Sequence, residues 1–305
     1  MTALQTLLNS IVDYAGLFPP SKLDMLPAVR NFAEHDDSPH SWMLARFVLP
    51  VSRFEEFELI ADRYLPRGED AAPWPISALV GADLDGDIDR IFEFNRRHAG
   101  DDDDDVGLAV VDSIELKATS AEFIDDAMQI VPEQLSPYFE IPWDMDPRGW
   151  IAALAGTGGR AKIRCGGVTH DLFPPVDAVA RFIVHCAAAT VPFKFTAGLH
   201  HPIRAEHRLT YADDAPTGTM HGFLNAFLAA AYAKARRFDQ AKVEAVLSET
   251  DPAAFVIERD FVAWRGERLD VDALARIREE FATSFGSCSF VEPVEDLQTL
   301  SLLHA

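Results

Sequence analysis

The chain has 305 residues, of which 48% are hydrophobic, so it is long enough to bury a large core. Its formal net charge of −22 disfavours binding to nucleic-acid phosphates or to an anionic membrane surface. The three cysteines are far apart and lack C-x-x-C spacing, which disfavours a disulfide framework or a cysteine zinc site and is typical of a reducing compartment.

The N-terminal segment lacks the basic start of a signal peptide and instead predicts an amphipathic first helix. No apolar stretch is expected to span a bilayer, because the best candidate, 222–233, is short and contains Asn225. We therefore expect a cytoplasmic protein that acts on a small-molecule substrate and has no nucleic-acid or membrane partner; a homo-oligomer is left open. The acidic run at 101–105 is expected to form a solvated loop.

Segments rich in Val, Ile and Phe alternate with segments of helical period, which predicts a mostly parallel sheet covered by helices. The predicted strands lie at 11–17, 44–49, 76–81, 107–116, 137–141, 160–165, 192–197 and 287–291. The predicted helices lie at 22–34, 53–65, 84–98, 119–130, 147–156, 175–189, 221–235, 239–248 and 270–283.

Between the last two helices, the sequence alternates around Arg265 and Gly266, which predicts a small β-hairpin inserted near 250–270, before the last strand. Strands in this number, with helices between them, match a (β/α)₈ barrel of the TIM type. An open doubly wound α/β sheet is the alternative. No Gly/Ser-rich linker divides the chain, so a single domain over 1–305 is expected.

One short sequence occurs twice, because residues 17–20 and residues 172–175 both read LFPP. Each copy follows a predicted strand and precedes a predicted helix. Proline suits the first helical turn, and this local preference accounts for the repeat. A duplicated half-barrel is the alternative.

Lysine is rare in this chain, with six copies against 21 arginines. Three of the six, Lys117, Lys162 and Lys194, fall inside or at the end of predicted strands. Lysine within an apolar strand is costly to desolvate unless it faces a polar cavity or has a partner. These lysines therefore predict a polar cavity.

The period of a β-strand indicates which charged residues share a face. Lys162 and Arg164 are two residues apart, as are Glu115 and Lys117. In a barrel, charged residues at the C-terminal ends of the strands converge on one mouth, although an inert Glu115–Lys117 ion pair is an alternative. The same mouth is predicted to receive Glu140 and Glu292.

Histidine is concentrated in one part of the chain, with six of ten copies between 170 and 221. His200 and His201 follow the seventh predicted strand, where Gly198 permits a sharp exit. Adjacent side chains on an extended segment point in opposite directions, so at most one of the two is expected to line the pocket. His170 follows the sixth strand and is a further candidate.

Gly166 and Gly167 follow the sixth predicted strand, on the side of the presumed active site. Their backbone amides, together with Arg164 or Arg204, could hold a phosphate or carboxylate group of a substrate. An ordinary turn is the alternative interpretation of this pair.

The segments 161–167 (AKIRCGG) and 192–198 (PFKFTAG) resemble the lysine strands of Schiff-base aldolases on the same barrel. In those enzymes one strand lysine forms the imine, and a second lowers the pKa of the first. The resemblance implies that Lys162 or Lys194 is the nucleophile and that the other is its electrostatic neighbour.

The first functional hypothesis is a lyase or aldolase-like enzyme that acts on a small anionic carbonyl compound. Lys194 is the first choice for the nucleophile, with Lys162 beside it, and Arg164 would bind the acid group. The candidates for proton transfer are Glu115, Glu140, His200 and His201.

Two further hypotheses come from other classes of protein. In a metal-dependent barrel enzyme, a divalent ion would be held by His170, His200 or His201 together with Glu140 or Glu292. In a non-catalytic protein, the same mouth would bind a small ligand without turning it over. Apart from that divalent metal, no cofactor is predicted.

Overall fold

The computed structural model describes residues 1–100 and 105–303, so most of the acidic run at 101–105 lies outside the described residues. Eight strands, each parallel to its neighbours, close into a barrel, which confirms the predicted (β/α)₈ fold over the open-sheet alternative. The barrel strands are β1 (Val12–Tyr14), β2 (Leu44–Pro50), β3 (Trp74–Leu79), β4 (Ala109–Lys117), β5 (Ser136–Glu140), β6 (Arg160–Arg164), β7 (Phe193–Thr196) and β13 (Ala282–Ser287).

Helices cover the outside of the barrel, and the polar residues that precede several of them fix where they begin. The hydroxyl of Ser120 accepts a hydrogen bond from the Phe123 amide, and Asp270 accepts one from the Ala273 amide. The helices are α1 (Ala3–Leu8), α2 (Met25–Asp36), α3 (Phe54–Ala61), α4 (Leu84–Arg97), α5 (Ala121–Ile130), α6 (Arg148–Leu154), α7 (Val176–Ala189), α8 (Phe223–Arg236), α9 (Gln240–Leu247), α10 (Val271–Glu280) and α11 (Val291–Thr299).

The main core lies between the strands and this helical layer. Ile163 on β6 and Phe193 and Phe195 on β7 are fully buried there. Because side chains alternate along a strand, the residues between them point into the barrel. Burial of the apolar set therefore fixes the inward direction of the intervening charged residues.

The predicted insertion before the last strand is confirmed, and it has one more strand than a hairpin. It is an antiparallel sheet of β10 (Phe255–Ile257), β11 (Phe261–Trp264) and β12 (Glu267–Asp270). Arg265 and Gly266 connect β11 to β12 with φ values of 46° and 87°, as a two-residue hairpin turn with two left-handed positions requires.

A second insertion was not predicted. Between β7 and α8, the strands β8 (Ala205–Arg208) and β9 (Thr217–Met220) form an antiparallel pair, which we call the mouth hairpin. Its strand sequences, AEHR and TGTM, contain almost no apolar residues, so the usual alternation of a half-buried strand is missing.

The last barrel strand was predicted too late in the chain. It spans Ala282–Ser287, whereas the predicted 287–291 segment lies mostly after it and leads into α11. Pro293 is tolerated in the first turn of a helix, and Phe290 and Val294 are buried beside it. Their packing explains why an apolar segment here is not a strand, and it places Glu292 on a helix.

By length and composition alone, one segment of the described chain, His170–Ala189, could cross a membrane, whereas the sequence analysis expected none. This segment includes α7, which packs against β6, α8 and α9. Packing of α7 against β6 and the neighbouring helices accounts for its apolar face.

Candidate active site

A cavity of about 300 Å³ opens at the C-terminal ends of the barrel strands. Glu140, Arg164 and Thr196, which end β5, β6 and β7, all line it. Several predicted site residues share this cavity: Glu115, Glu140, Lys162, Arg164, Gly167, His200, His201 and Glu292.

Beneath the cavity, buried acids and lysines form what we call the floor network. Lys162 Nζ lies 2.5 Å from Glu115 Oε2 and 2.9 Å from Glu140 Oε2. Lys194 Nζ lies 2.6 Å from Glu115 Oε1 and 3.0 Å from Asp13 Oδ2. Glu115 therefore bridges the two lysines, and each lysine has a second carboxylate partner.

Two serine hydroxyls complete the floor network. Ser77 donates a hydrogen bond to Glu115 Oε1 over 2.8 Å, and Ser284 donates one to Asp13 Oδ2 over 2.7 Å. Lys194 Nζ also lies 4.6 Å from the centre of the Tyr138 ring, within the range of a cation–π contact. These contacts offset part of the desolvation of the buried charges.

Strand register brings the network together. Glu140 on β5, Lys162 on β6 and Lys194 on β7 are successive register partners, so their side chains point to the same face. Glu115 is two residues before Lys117, the register partner of Glu140, so Glu115 points inward at a deeper level.

Charge pairing dominates the protonation of the floor network. Burial disfavours the ionised form of Glu115, but Lys162 and Lys194 outweigh burial and lower the pKa of this carboxyl. Burial likewise opposes the charged lysines, but their carboxylate partners raise the pKa of both Lys162 and Lys194. Both lysines are therefore ammonium ions at neutral pH.

The two lysines differ in access to the cavity. Lys162 lines it, whereas Lys194 does not and leaves only 2% of its side chain exposed. A ligand in the cavity therefore meets Lys162 first, with Lys194 behind Glu115. This geometry favours Lys162 as the candidate nucleophile over Lys194, the first choice of the sequence analysis.

Histidines at the mouth pair with carboxylates of α11. His200 Nδ1 lies 2.9 Å from Glu292 Oε2, and His201 Nδ1 lies 2.6 Å from Asp296 Oδ2. Tyr211 of the mouth hairpin also donates to Glu292 Oε2, over 3.1 Å. Burial opposes ionisation of Glu292, but the contacts with His200 and Tyr211 lower its pKa.

The expectation that at most one of His200 and His201 lines the pocket is wrong, because both do. It assumed an extended segment, whereas Ala197 and Gly198 have φ values of 57° and 71° and turn the chain sharply. A Cβ on Gly198 would lie 2.6 Å from Gly166 Cα, so glycine is required where β6 and β7 exit.

Gly166 therefore serves close backbone packing, and it is buried beneath Phe173. Gly167 does line the cavity, next to Leu172. The repeated LFPP sequence also contributes to the cavity. Phe18, Pro19 and Pro20 from the first copy and Leu172 from the second line its wall, which makes one side apolar.

Besides Lys194 and Gly166, three predicted site residues do not line the cavity. Lys117 ends β4 and is exposed. His170 is exposed on a short turn after β6. Arg204 Nη1 lies 3.1 Å from Nδ1 of the buried His221, where burial lowers the pKa of Arg204. None of these positions gives direct contact with a ligand in the cavity.

Sequence reasoning missed several residues of the site. Asp13 lies inside the predicted first strand, between the apolar Val12 and Tyr14. Because side chains alternate along a strand, this position could have revealed a carboxylate that points inward. Ser77 in β3 carries no comparable signal, since serine is common at any strand position. The missed cavity residues from the hairpin and the end of the barrel include Arg208, Leu209, Tyr211, Met220 and Cys288.

The predicted metal ligands do not form a coordination site. Within residues 1–100 and 105–303, no group of three or more His, Cys, Asp or Glu side chains is placed to hold a metal ion. Glu140 instead contacts Lys162, and Glu292 contacts His200. Comparison with protein-family models, curated proteins and solved structures finds no match for this chain.

Proposed function

We propose that this protein is a lyase or aldolase-like enzyme that forms an imine between Lys162 and a small carbonyl compound. The observation that carries the proposal is the position of Lys162 Nζ, at the base of the cavity and within 2.9 Å of both Glu115 and Glu140. An amine at this place can reach a carbonyl carbon, and both carboxylates can exchange protons with it.

The raised pKa of Lys162 sets the order of events. The resting ammonium first loses a proton to solvent through the cavity, because burial of Glu140 is outweighed by Lys162 and Arg164, which lower the pKa of this carboxyl and make it a poor proton acceptor. The free amine attacks the carbonyl carbon, and the carbonyl oxygen accepts one proton from the nitrogen and one from solvent and leaves as water. The protonated imine carries the same single positive charge as the ammonium, so the floor network keeps its charge balance.

The protonated imine then acts as an electron sink for cleavage of the adjacent carbon–carbon bond. The electron pair of that bond moves toward the nitrogen and gives an enamine, while the β-hydroxyl group loses its proton to Glu140 and becomes an aldehyde. Return of this proton to the enamine carbon, followed by addition of water, releases the second product and the Lys162 amine.

Lys194 supports this chemistry as a fixed cation. It holds Glu115 through a 2.6 Å contact, so that Glu115 stays ionised and orients Lys162. Its positive charge also opposes the charge of Lys162 across the shared carboxylate. Lys194 thus acts in the pKa-lowering direction that the resemblance to Schiff-base aldolases implies, but Glu115 and Glu140 outweigh it and the pKa of Lys162 is raised rather than lowered.

Reductive trapping tests the proposal. The protein is incubated with a panel of small aldehydes, ketones and oxo acids plus cyanoborohydride, and the labelled residue is identified by mass spectrometry of peptides. We expect a stable secondary amine on Lys162. Lys162→Arg keeps a cation next to Glu115 but should abolish the adduct, and Lys117→Met, which removes an exposed lysine of β4, should leave it unchanged.

The same experiment separates catalysis from simple ligand binding. An adduct on Lys162 that forms faster than on Lys117 by at least 100-fold supports the proposal. Uniform slow labelling of surface lysines, or no adduct with any carbonyl compound while the folded protein still binds one, would favour the non-catalytic alternative.

A further inference from the structure

The mouth hairpin is held firmly against the barrel, although a two-stranded sheet alone is marginally stable. Met220 at its base and Leu209 at the start of its loop are both buried. The His207 ring stacks on His201 with 3.4 Å between the ring centres. Thr217 donates a hydrogen bond to Glu206 across the two strands. The hairpin therefore presents Arg208 and Tyr211 to the cavity in a defined position.

The carboxylates that line the cavity are all engaged. Glu115 and Glu140 contact Lys162, and Glu292 contacts His200 and Tyr211. Arg164 is engaged as well, because its Nε lies 3.5 Å from Glu140 and its Nη1 donates to the Gly166 carbonyl over 3.2 Å.

Arg208 differs from every other cation at the cavity. It lines the cavity from β8, and within the described part of the chain its guanidinium has no ion pair or side-chain hydrogen bond. The chain has 49 acidic residues against 27 basic ones, so carboxylates that could pair with Arg208 are abundant in the sequence. A guanidinium can bind a carboxylate or phosphate group through two parallel hydrogen bonds.

We propose that Arg208 binds an anionic group of the carbonyl substrate, so that the enzyme selects carbonyl compounds that carry a carboxylate or a phosphate ester. This inference rests on the proposed function for the identity of the reacting group, but the anion site itself does not. The apolar wall formed by Phe18, Leu172 and Met220 further favours a hydrocarbon portion in the substrate. Arg208, on an insertion outside the barrel strands, would then determine specificity, while Lys162 performs the chemistry.

A matched pair of aldehydes tests this assignment. Benzaldehyde and 4-carboxybenzaldehyde differ by a single anionic group, and the concentration that gives half-maximal reductive labelling of Lys162 is measured for each. In the wild-type protein, 4-carboxybenzaldehyde should label at a concentration at least tenfold lower. Arg208→Gln should remove this preference by raising the required 4-carboxybenzaldehyde concentration toward that needed for benzaldehyde. Arg259→Gln, at an exposed arginine between β10 and β11, is the matched control and should retain the preference.

Equal labelling by the two aldehydes in the wild-type protein, or an undiminished preference in Arg208→Gln, would overturn the assignment. Benzoate and phenyl phosphate as competitors distinguish a carboxylate site from a phosphate site, since the better ligand should displace the anionic aldehyde at the lower concentration.

If neither aldehyde labels Lys162, the proposed imine chemistry fails, and the anion site is then judged separately. Calorimetric titration of benzoate and phenyl phosphate into wild-type protein and into Arg208→Gln decides it. Binding that weakens at least tenfold in the variant supports the site. Equal binding in both proteins, or no binding to either, refutes it.

Discussion

On the floor of the cavity, Lys194 and Glu115 are almost completely buried, and their charged atoms contact each other at 2.6 Å. At the rim, Arg208 lines the same cavity from an exposed hairpin and has no ion-pair partner in the described chain. The floor therefore has buried charges that pair with one another, while the rim has a guanidinium without an ion-pair partner in the described residues. This difference is the basis for the proposals that the floor positions the reacting group and that the rim recognises the ligand.

The largest expected effect comes from breaking the floor network. Lys194→Met leaves Asp13 and Glu115 buried with one cation fewer, which should lower the free energy of unfolding by about 3–5 kcal/mol. Urea denaturation measures the loss. Lys117→Met, at an exposed position, should change stability by less than about 0.5 kcal/mol.

A second substitution shows whether buried charge is the cause. Glu115 keeps its contact with Lys162 in Lys194→Met, whereas Asp13 loses its lysine partner. Adding Asp13→Asn to Lys194→Met therefore removes the uncompensated carboxylate and should restore part of the lost stability. A double variant less stable than Lys194→Met alone would mean that packing, rather than charge, dominates the floor.

The next effect concerns the turn that connects the floor to the rim. Gly198→Ala places a Cβ 2.6 Å from Gly166 Cα at a φ of 71°, so backbone strain and a steric clash both oppose it. We expect a loss of about 2–4 kcal/mol by thermal or urea denaturation.

Gly266→Ala is the matched control for that turn. Its φ of 87° imposes similar backbone strain, but a Cβ there meets no atom within 4 Å. It should therefore lose only about 1 kcal/mol. Equal losses in the two variants would show that the close approach of β6 and β7 does not matter.

The floor should also control the pH dependence of imine formation. Because the pKa of Lys162 is raised, the ammonium persists well into the alkaline range, and the fraction of free amine increases about tenfold per pH unit below that pKa. The rate of reductive labelling should therefore rise between pH 7 and pH 10. A rate that levels off near neutral pH would show that Lys162 is not held by Glu115 and Glu140 as described.

The smallest effect is expected at the rim, where the relevant pKa is lowered rather than raised. Burial lowers the pKa of His207 from 6.5 to about 4, and the nearby His201 adds to this effect. Asp296, Glu292 and His200 also act on it, the two carboxylates in the opposite sense. The unfolded chain thus binds a proton more readily, so stability falls as the pH drops from about 6.5 toward 4.

His207→Gln removes this contribution. Between pH 7 and pH 5, the free energy of unfolding should fall more in the wild type than in the variant. A difference that does not change with pH would contradict the buried, neutral state of His207, and so the close packing of the hairpin against the barrel.

The sequence by itself determined the barrel, because alternating apolar strands and amphipathic helices produce a parallel sheet with both faces covered. It also indicated Glu115, Glu140 and Lys162 as cavity residues, since rare charged residues in apolar strands must face inward. In contrast, Asp13 and Ser77 were missed, because their participation depends on strands that are distant in the chain but adjacent in the barrel.

Only the tertiary structure decided which lysine a ligand reaches, since Lys162 and Lys194 have the same strand context and differ in depth. It also placed Glu292 on a helix, turned both His200 and His201 toward the cavity, and positioned Arg208 at the rim. These outcomes depend on left-handed turns, packing of Phe290, and a hairpin without apolar alternation. A local sequence pattern specifies which face of a strand a side chain occupies. The depth of that side chain in the barrel and its access to the cavity depend on how the whole barrel closes.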